Sequence, residues 1–130
     1  MLVKTMTRTG RLLIVDDDEG VTQTFAGILR LEGHQVRTAQ NAQDGLRETE
    51  EFHPDAIILD LRMPLVNGLG FLYRLRERDE HTPVTIVTGD ASLTEEALTE
   101  IAELGAEVYF KPIWTEELHE LTERLLARTA

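Results

Sequence analysis

Four apolar runs in this chain stop at residues whose side chains can do chemistry. LLIV is followed by Asp16 and Asp17, AIIL by Asp60, VTIV by Thr88, and VYF by Lys111. Carboxylates that converge in one crevice all stay ionised only if a cation neutralises them. Mg²⁺ suits one or two carboxylates together with water and a phosphate group. These residues therefore predict a Mg²⁺ and phosphoryl pocket, in which the ammonium and the hydroxyl group each meet a phosphoryl oxygen.

One carboxylate in such a pocket must be the nucleophile, and Asp60 is the candidate. Asp60 stands alone after its apolar run, whereas Asp16 and Asp17 are adjacent and act as a pair. Asp18 and Glu19 continue the acidic run but need no catalytic role. Carboxylates at the start of a helix accept backbone N–H groups and interact favourably with the helix dipole.

The elements that must position these residues alternate along the chain. Short β-rich runs cover residues 12–15, 35–38, 56–59, 84–87 and 108–110. Between and after them, Leu, Ile, Val or Phe recur every three or four residues, which predicts amphipathic helices. Thr115, followed by Glu116 and Glu117, is the predicted N-cap of the last helix.

Five strand–helix repeats predict an α/β fold, a parallel sheet with helices on both faces. LLIV, AIIL and VTIV are almost wholly apolar, as expected of strands covered on both sides, whereas HQVRTA is polar enough for an edge. The predicted order is 2-1-3-4-5, the flavodoxin-like doubly wound (βα)5 arrangement. Because the carboxyl ends of the strands line the ligand crevice in such a sheet, the candidate residues are brought together.

Length and composition fit one domain and limit its function. We expect a flexible tail at residues 1–10 and a single domain at residues 11–128, with no output domain in this chain; a stand-alone protein and an excised domain both stay open. The net charge of −11 disfavours direct binding to nucleic acid. The chain has no cysteine, and no apolar run approaches membrane-spanning length. We therefore expect a soluble, cytoplasmic protein without a thiolate site.

Four motifs in order make the chain resemble the CheY-like receiver domain of the response regulators of two-component systems. They are VDDD at 15–18, LDLRMP at 59–64 with NG at 67–68, VTG at 87–89 and FKP at 110–112. The resemblance extends over residues 11–128. Four motifs in register are far more specific than any one of them.

The resemblance implies a role for each residue of the predicted pocket. Asp60 would accept a phosphoryl group from a histidine kinase or a phosphotransfer protein and become an acyl phosphate. Asp17 would bind Mg²⁺ directly and Asp16 largely through water, and the backbone carbonyl of Arg62 would complete the protein ligands beside Asp60. Thr88 would hydrogen-bond a phosphoryl oxygen, Lys111 would pair with it, and the Lys111–Pro112 bond would be cis.

The chain departs from the family pattern where the phosphorylation signal is read out. The family usually has Tyr or Phe three residues before the lysine, where this chain has Val108, while Tyr109 points to the other face of the strand. The predicted switch region comprises Gly89, Asp90, Val108 and Tyr109. An unidentified effector would bind the face made by the fourth helix, fifth strand and fifth helix, and a homodimer stays open. Asn67, where the family often has Asp, is predicted to lie in a turn.

Two other functions remain as alternatives to a phosphoacceptor that catalyses only its own phosphorylation and slow dephosphorylation. A phosphohydrolase with an aspartyl phosphate would pair its nucleophile with a second Asp two residues on, where this chain has Arg62. A scaffold that binds partners without phosphorylation would be expected to lack one of Asp60, Thr88 and Lys111.

Outside the pocket, the four scattered histidines are expected on the surface, and Trp114 is expected to anchor the last helix against the sheet.

Overall fold

Five parallel strands and five helices alternate within the residues that the computed structural model describes, which are 9–61, 65–78, 81–89 and 93–128; the side chains of residues 60, 61 and 65–67 are not described. The elements in chain order are β1 (Arg11–Val15), α1 (Glu19–Leu31), β2 (Gln35–Ala39), α2 (Ala42–Phe52), β3 (Ala56–Leu61), α3 (Leu65–Arg78), β4 (Val84–Thr88), α4 (Glu95–Glu103), β5 (Ala106–Phe110) and α5 (Thr115–Ala127). Each predicted strand is present, and three of them extend one or two residues further toward their carboxyl ends.

The sheet has the predicted order, β2-β1-β3-β4-β5, with every neighbouring pair parallel. The three apolar strands therefore lie inside the sheet, and the polar β2 lies at one edge. β5 forms the other edge and begins two residues earlier than predicted, at Ala106. The fold is the flavodoxin-like (βα)5 arrangement.

Two apolar cores cover the two faces of the sheet, because successive side chains of a strand point to opposite faces. On one face, Leu13, Ile57 and Ile86 pack with residues of α2, α3 and α4. On the other face, Ile14 and Ile58 pack with residues of α1 and α5. Burial on both sides explains why the central strands are apolar without alternation.

Helix ends confirm one sequence prediction and correct two. Asp18 is the N-cap of α1, as expected of the acidic run, and its Oδ1 accepts the N–H of Val21 over 3.1 Å. Thr115 is wrong as the N-cap of α5, because the extended residue Trp114 holds that position and Glu117 Oε1 accepts the Trp114 N–H over 3.4 Å. Asn67 does not lie in a turn but in the first turn of α3, since that helix begins at Leu65.

Two side chains outside the pocket also lie elsewhere than expected. His34 is 4% exposed, because α5 covers a residue whose own sequence neighbours are polar. Trp114 is 67% exposed, while Ile113 packs against the core in its place.

Of the predicted tail, residues 1–8 lie outside the described residues, and Gly10 is hydrogen-bonded to His34 and Gln35. Within the described residues, none of the helices is long and apolar enough to span a membrane.

Candidate functional site

The strand register brings the candidate residues to one edge of the sheet. Val15 is paired with Leu59, so Asp16 and Asp60 are the next residues on adjacent strands. Asp60 is paired with Val87, which Thr88 follows, and Thr88 is paired with Phe110, which Lys111 follows. The four residues therefore form a stepped row across β1, β3, β4 and β5 at their carboxyl ends, as predicted.

Asp16 is a fully buried carboxylate held at the end of β1. Its backbone N–H donates to the carbonyl oxygen of Ala39 over 3.0 Å, which extends the pairing with β2 by one residue. Its Oδ1 accepts the backbone N–H of Asp18 over 3.2 Å. A carboxylate taken out of water is costly unless hydrogen bonds or a cation compensate its charge. The Asp18 N–H supplies one such hydrogen bond to Asp16.

The rest of the acidic run divides into separate roles. Asp17 is exposed, so its carboxylate is open to a ligand in solvent. Asp18 turns its side chain to the first turn of α1 and its backbone N–H to Asp16. The dense charge after LLIV thus serves both the pocket and the helix that follows it.

Thr88 and Lys111 are joined through the main chain. Thr88 is 1% exposed, and its carbonyl oxygen accepts the N–H of Lys111 over 2.8 Å. The Lys111–Pro112 bond is cis, as the resemblance implied. The stem of Lys111 passes beside Gly89, where an added Cβ would lie 3.8 Å from the lysine Cδ. The Thr88 hydroxyl and the Lys111 ammonium therefore belong to residues at the carboxyl ends of the neighbouring strands β4 and β5.

Three of the predicted positions are described incompletely or not at all. The backbone of Asp60 lies in β3, but its side chain is not described, and Arg62 and Asp90 lie outside the described residues. Within the described side chains, no group of three or more His, Cys, Asp and Glu residues is arranged to hold a metal. The oxygen donors of Asp16 and Asp17 nevertheless suit Mg²⁺, which is commonly bound by only one or two protein carboxylates.

The predicted switch residues of β5 point to opposite faces of the sheet, as expected from strand geometry. Val108 is paired with Ile86 and packs against the core that α2, α3 and α4 cover. Tyr109 packs against the core that α1 and α5 cover. Val108 is therefore on the α2, α3 and α4 side of the sheet, and Tyr109 is on the α1 and α5 side.

The sequence reading missed one positioning contact, the bond from the Asp18 backbone to Asp16. This contact fixes one oxygen of the buried carboxylate and leaves the Asp18 side chain to cap α1. The signal was present in the spacing, because an Asp side chain commonly accepts the N–H of the residue two positions later. The other contact that holds Asp16 is the backbone bond to the carbonyl of Ala39. The alanine side chain gives no indication of this bond in the sequence.

A protein-family model, described as the response regulator receiver domain, matches residues 12–123. The chain belongs to the response regulator receiver family. Among curated proteins, it is 36% identical over 119 residues to the transcriptional regulatory protein PrrA of Mycobacterium tuberculosis, covering 91% of this chain and 50% of that protein. It is 33% identical over 122 residues to the regulatory protein AtoC of Escherichia coli, covering 93% of this chain and 26% of that protein.

Solved structures give the same result for the fold of this receiver domain. The CheY-like receiver domain protein of Methanospirillum hungatei superposes with a TM-score of 0.83 at 29% identity, and the match covers 94% of this chain and 97% of that chain. The receiver domain spans half or less of the length of PrrA and AtoC. It is nearly coextensive with the M. hungatei chain.

Proposed function

We propose that this receiver domain accepts a phosphoryl group on Asp60 from the phosphohistidine of a histidine kinase or a phosphotransfer protein. A carboxylate oxygen of Asp60 attacks phosphorus, the phosphorus–nitrogen bond breaks, and the imidazole leaves as the acyl phosphate forms. The observation that carries the proposal is the register that brings Asp16, Asp60, Thr88 and Lys111 to one edge of the sheet.

The other residues of the pocket stabilise the charge that is transferred. Thr88 donates its hydroxyl to one phosphoryl oxygen, and the Lys111 ammonium pairs with another. Asp16 and Asp17 would hold Mg²⁺, with the backbone carbonyl of Arg62 and Asp60, and the bound ion would compensate the negative charge of the carboxylates and the phosphoryl group. The protein would act as a switch that is phosphorylated once per signal and slowly loses the phosphate. It would not be an enzyme that turns over substrate.

The phosphorylated domain then acts by binding a partner protein. Its proposed location is the cytoplasm. The surface proposed for the effector is the face formed by α4, β5 and α5. On the strand of this face, Val108 is paired with Ile86 and Tyr109 with Val87 of β4. A net charge of −11 argues against this domain itself binding nucleic acid.

Titration with beryllofluoride, which mimics a phosphoryl group on a carboxylate, tests the proposal. Amide shifts of Thr88 and Gly89 should change saturably with Mg²⁺ present and not without it. Asp17→Ala should raise the Mg²⁺ concentration that is needed, whereas the neighbouring variant Asp18→Ala keeps its backbone contact and should leave it unchanged.

The two alternatives predict different results, the first in this titration and the second with acetyl phosphate as the substrate. A scaffold that is not phosphorylated would show no saturable shift at any Mg²⁺ concentration. A phosphohydrolase would turn over many equivalents of acetyl phosphate per protein within minutes. Either result would overturn the proposed function.

A further inference from the structure

A buried histidine lies at the amino-terminal edge of the sheet, opposite the pocket. His34 directly precedes β2 and is 4% exposed. Its backbone is fixed by the end of α1, where the His34 N–H donates to the carbonyl of Leu29 over 3.2 Å and the Gly33 N–H to that of Arg30 over 3.0 Å. Gly33 has a φ of 98°, which ends the helix in the left-handed conformation. The hydrogen-bonded turn after α1 thus leads directly to a buried imidazole.

One side of the imidazole holds the segment that enters β1. The backbone N–H of Gly10 donates to His34 Nδ1 over 3.2 Å, and the Gly10 carbonyl accepts the N–H of Gln35 over 3.0 Å. Because Nδ1 accepts this bond, the neutral ring carries its proton on Nε2. A Cβ on Gly10 would lie 2.8 Å from Leu126 Cδ2, so this backbone packs directly against α5.

Ionisable groups at the end of α1 and on α5 lie close enough to the imidazole to act on its charge. Within the described part of the chain, His34 Nε2 and Glu123 Oε2 are both buried without a hydrogen-bond partner. His119 Nδ1 lies 3.0 Å from Glu32 Oε1, and this contact joins α5 to the residue that follows α1. Arg30 directs its guanidinium to the carbonyl of Val36 over 2.8 Å. A ring nitrogen and a carboxylate oxygen are thus both buried and unsatisfied, and the charge of Glu123 acts on the His34 ring.

We propose that His34 is a proton-operated latch: the neutral ring accepts the Gly10 N–H, and the charged ring gives up that hydrogen bond and pairs with Glu123. Protonation places a hydrogen on Nδ1, so that two donors face each other where the Gly10 bond was. The charged ring then offers Nε2–H to a carboxylate that lacks a donor, which strengthens that contact. The element that loses this hydrogen bond is the Gly10 backbone, at the point where it packs against Leu126 of α5.

The electrostatics of the site support a latch that is closed at neutral pH. Burial lowers the pKa of His34 below its ordinary value of 6.5, and the charge of His119 acts in the same direction. The carboxylates of Glu32 and Glu123 oppose that shift by favouring the charged ring. Removing Glu123 should therefore lower the pKa of His34 further.

An NMR pH titration of the full chain from pH 8 downward tests the latch. We expect the His34 ring to titrate below 6.5, and the Gly10 amide shift to follow it with the same midpoint. In His34→Asn, the side-chain oxygen can still accept from Gly10 but cannot be protonated, so the Gly10 transition should be lost. His81→Gln, at an exposed histidine, is the matched control and should leave the transition unchanged.

A second variant keeps the test independent of how well His34→Asn folds. Glu123→Gln should move the joint midpoint of His34 and Gly10 to lower pH. A Gly10 amide that stays constant through the titration of His34 would overturn the latch. A midpoint that Glu123→Gln leaves in place would overturn the pairing with Glu123.

Discussion

The carbonyl oxygen of Thr88 accepts the backbone N–H of Lys111 over 2.8 Å, which ties the end of β4 to the residue that follows β5. Both atoms belong to the main chain, so substituting either side chain can leave the bond intact. The ammonium of Lys111 and the hydroxyl of Thr88 can therefore be removed one at a time without separating the strands. The effect of the Lys111 charge can therefore be tested while the backbone position of Lys111 is kept.

Lys111→Ala should lower the stability of the Mg²⁺-free protein by roughly 1 kcal/mol, an amount typical of a partly exposed charge pair. Without Mg²⁺, the lysine is a cation close to the acidic end of the sheet, and its loss leaves the repulsion of the carboxylates less compensated. Mg²⁺ should narrow the difference in melting temperature. Lys111→Arg keeps the charge and should melt close to the original protein. Equal melting of the Ala variant and the original protein without Mg²⁺ would contradict this charge argument.

The response to phosphorylation should be concentrated at the carboxyl end of β4 and not in β5. Val108 has a stiff β-branched side chain, partly buried against the core, and no ring to rotate. Gly89, by contrast, allows its backbone to adjust at little steric cost. On addition of beryllofluoride with Mg²⁺, the amide of Gly89 should shift more than those of Val108 and Tyr109. Large shifts at Val108 and Tyr109 with Gly89 unchanged would show that β5 carries the response.

Much of the fold could be predicted from local sequence pattern, because the three central strands are apolar on both faces and this pattern predicts that they are buried. The acidic run, Asp60, Thr88 and Lys111 could be placed at one edge once the strand order was inferred. The burial of His34 could not be predicted in this way, since it depends on α5, whose residues lie more than 80 positions later in the chain. The exposure of Trp114 likewise depends on Ile113 filling the core beside it.

The missed N-cap of α5 has a different origin. Thr115 has the side chain that favours a cap, but the backbone becomes helical at Thr115 itself, and Glu117 reaches back to the extended Trp114. Two sets of capping interactions one residue apart are compatible with the same sequence. In the observed arrangement, Ile113 and Leu118 both pack against the core that α1 and α5 cover.

Two helical glycines should respond to alanine in opposite directions. In α2, a Cβ at Gly45 would lie 2.9 Å from Phe71 Cε1 and 3.2 Å from Val15 Cγ2, so Gly45→Ala should destabilise the fold by about 1–3 kcal/mol. In α1, a Cβ at Gly27 would meet nothing within 4 Å, so Gly27→Ala should stabilise it by about 0.5–1 kcal/mol. Urea unfolding measures both. A stabilised Gly45→Ala variant would show that Phe71 does not pack as described.

The pH dependence of stability should contain a contribution from His34. Because its pKa is lowered in the folded state, the unfolded chain binds more protons in the interval below 6.5. The contribution of His34 is therefore fully present above pH 6.5 and declines as the pH falls toward the folded-state pKa. Chemical unfolding between pH 7.5 and 5 should show a shallower decline in His34→Asn than in the original protein. Parallel curves for the two proteins would exclude His34 as a source of the pH dependence.

Phosphorylation of Asp60 is tested most directly by labelling with acetyl phosphate in the presence of Mg²⁺, followed by mass spectrometry of the intact protein. We expect one acid-stable, hydroxylamine-sensitive phosphoryl group, and its complete loss in Asp60→Asn, because the amide lacks the anionic oxygen that attacks phosphorus. Asp55→Asn lies at the other end of β3, can still accept the Arg11 N–H, and should label normally. A hydroxylamine-sensitive phosphoryl group that persists in Asp60→Asn would contradict the proposed acceptor.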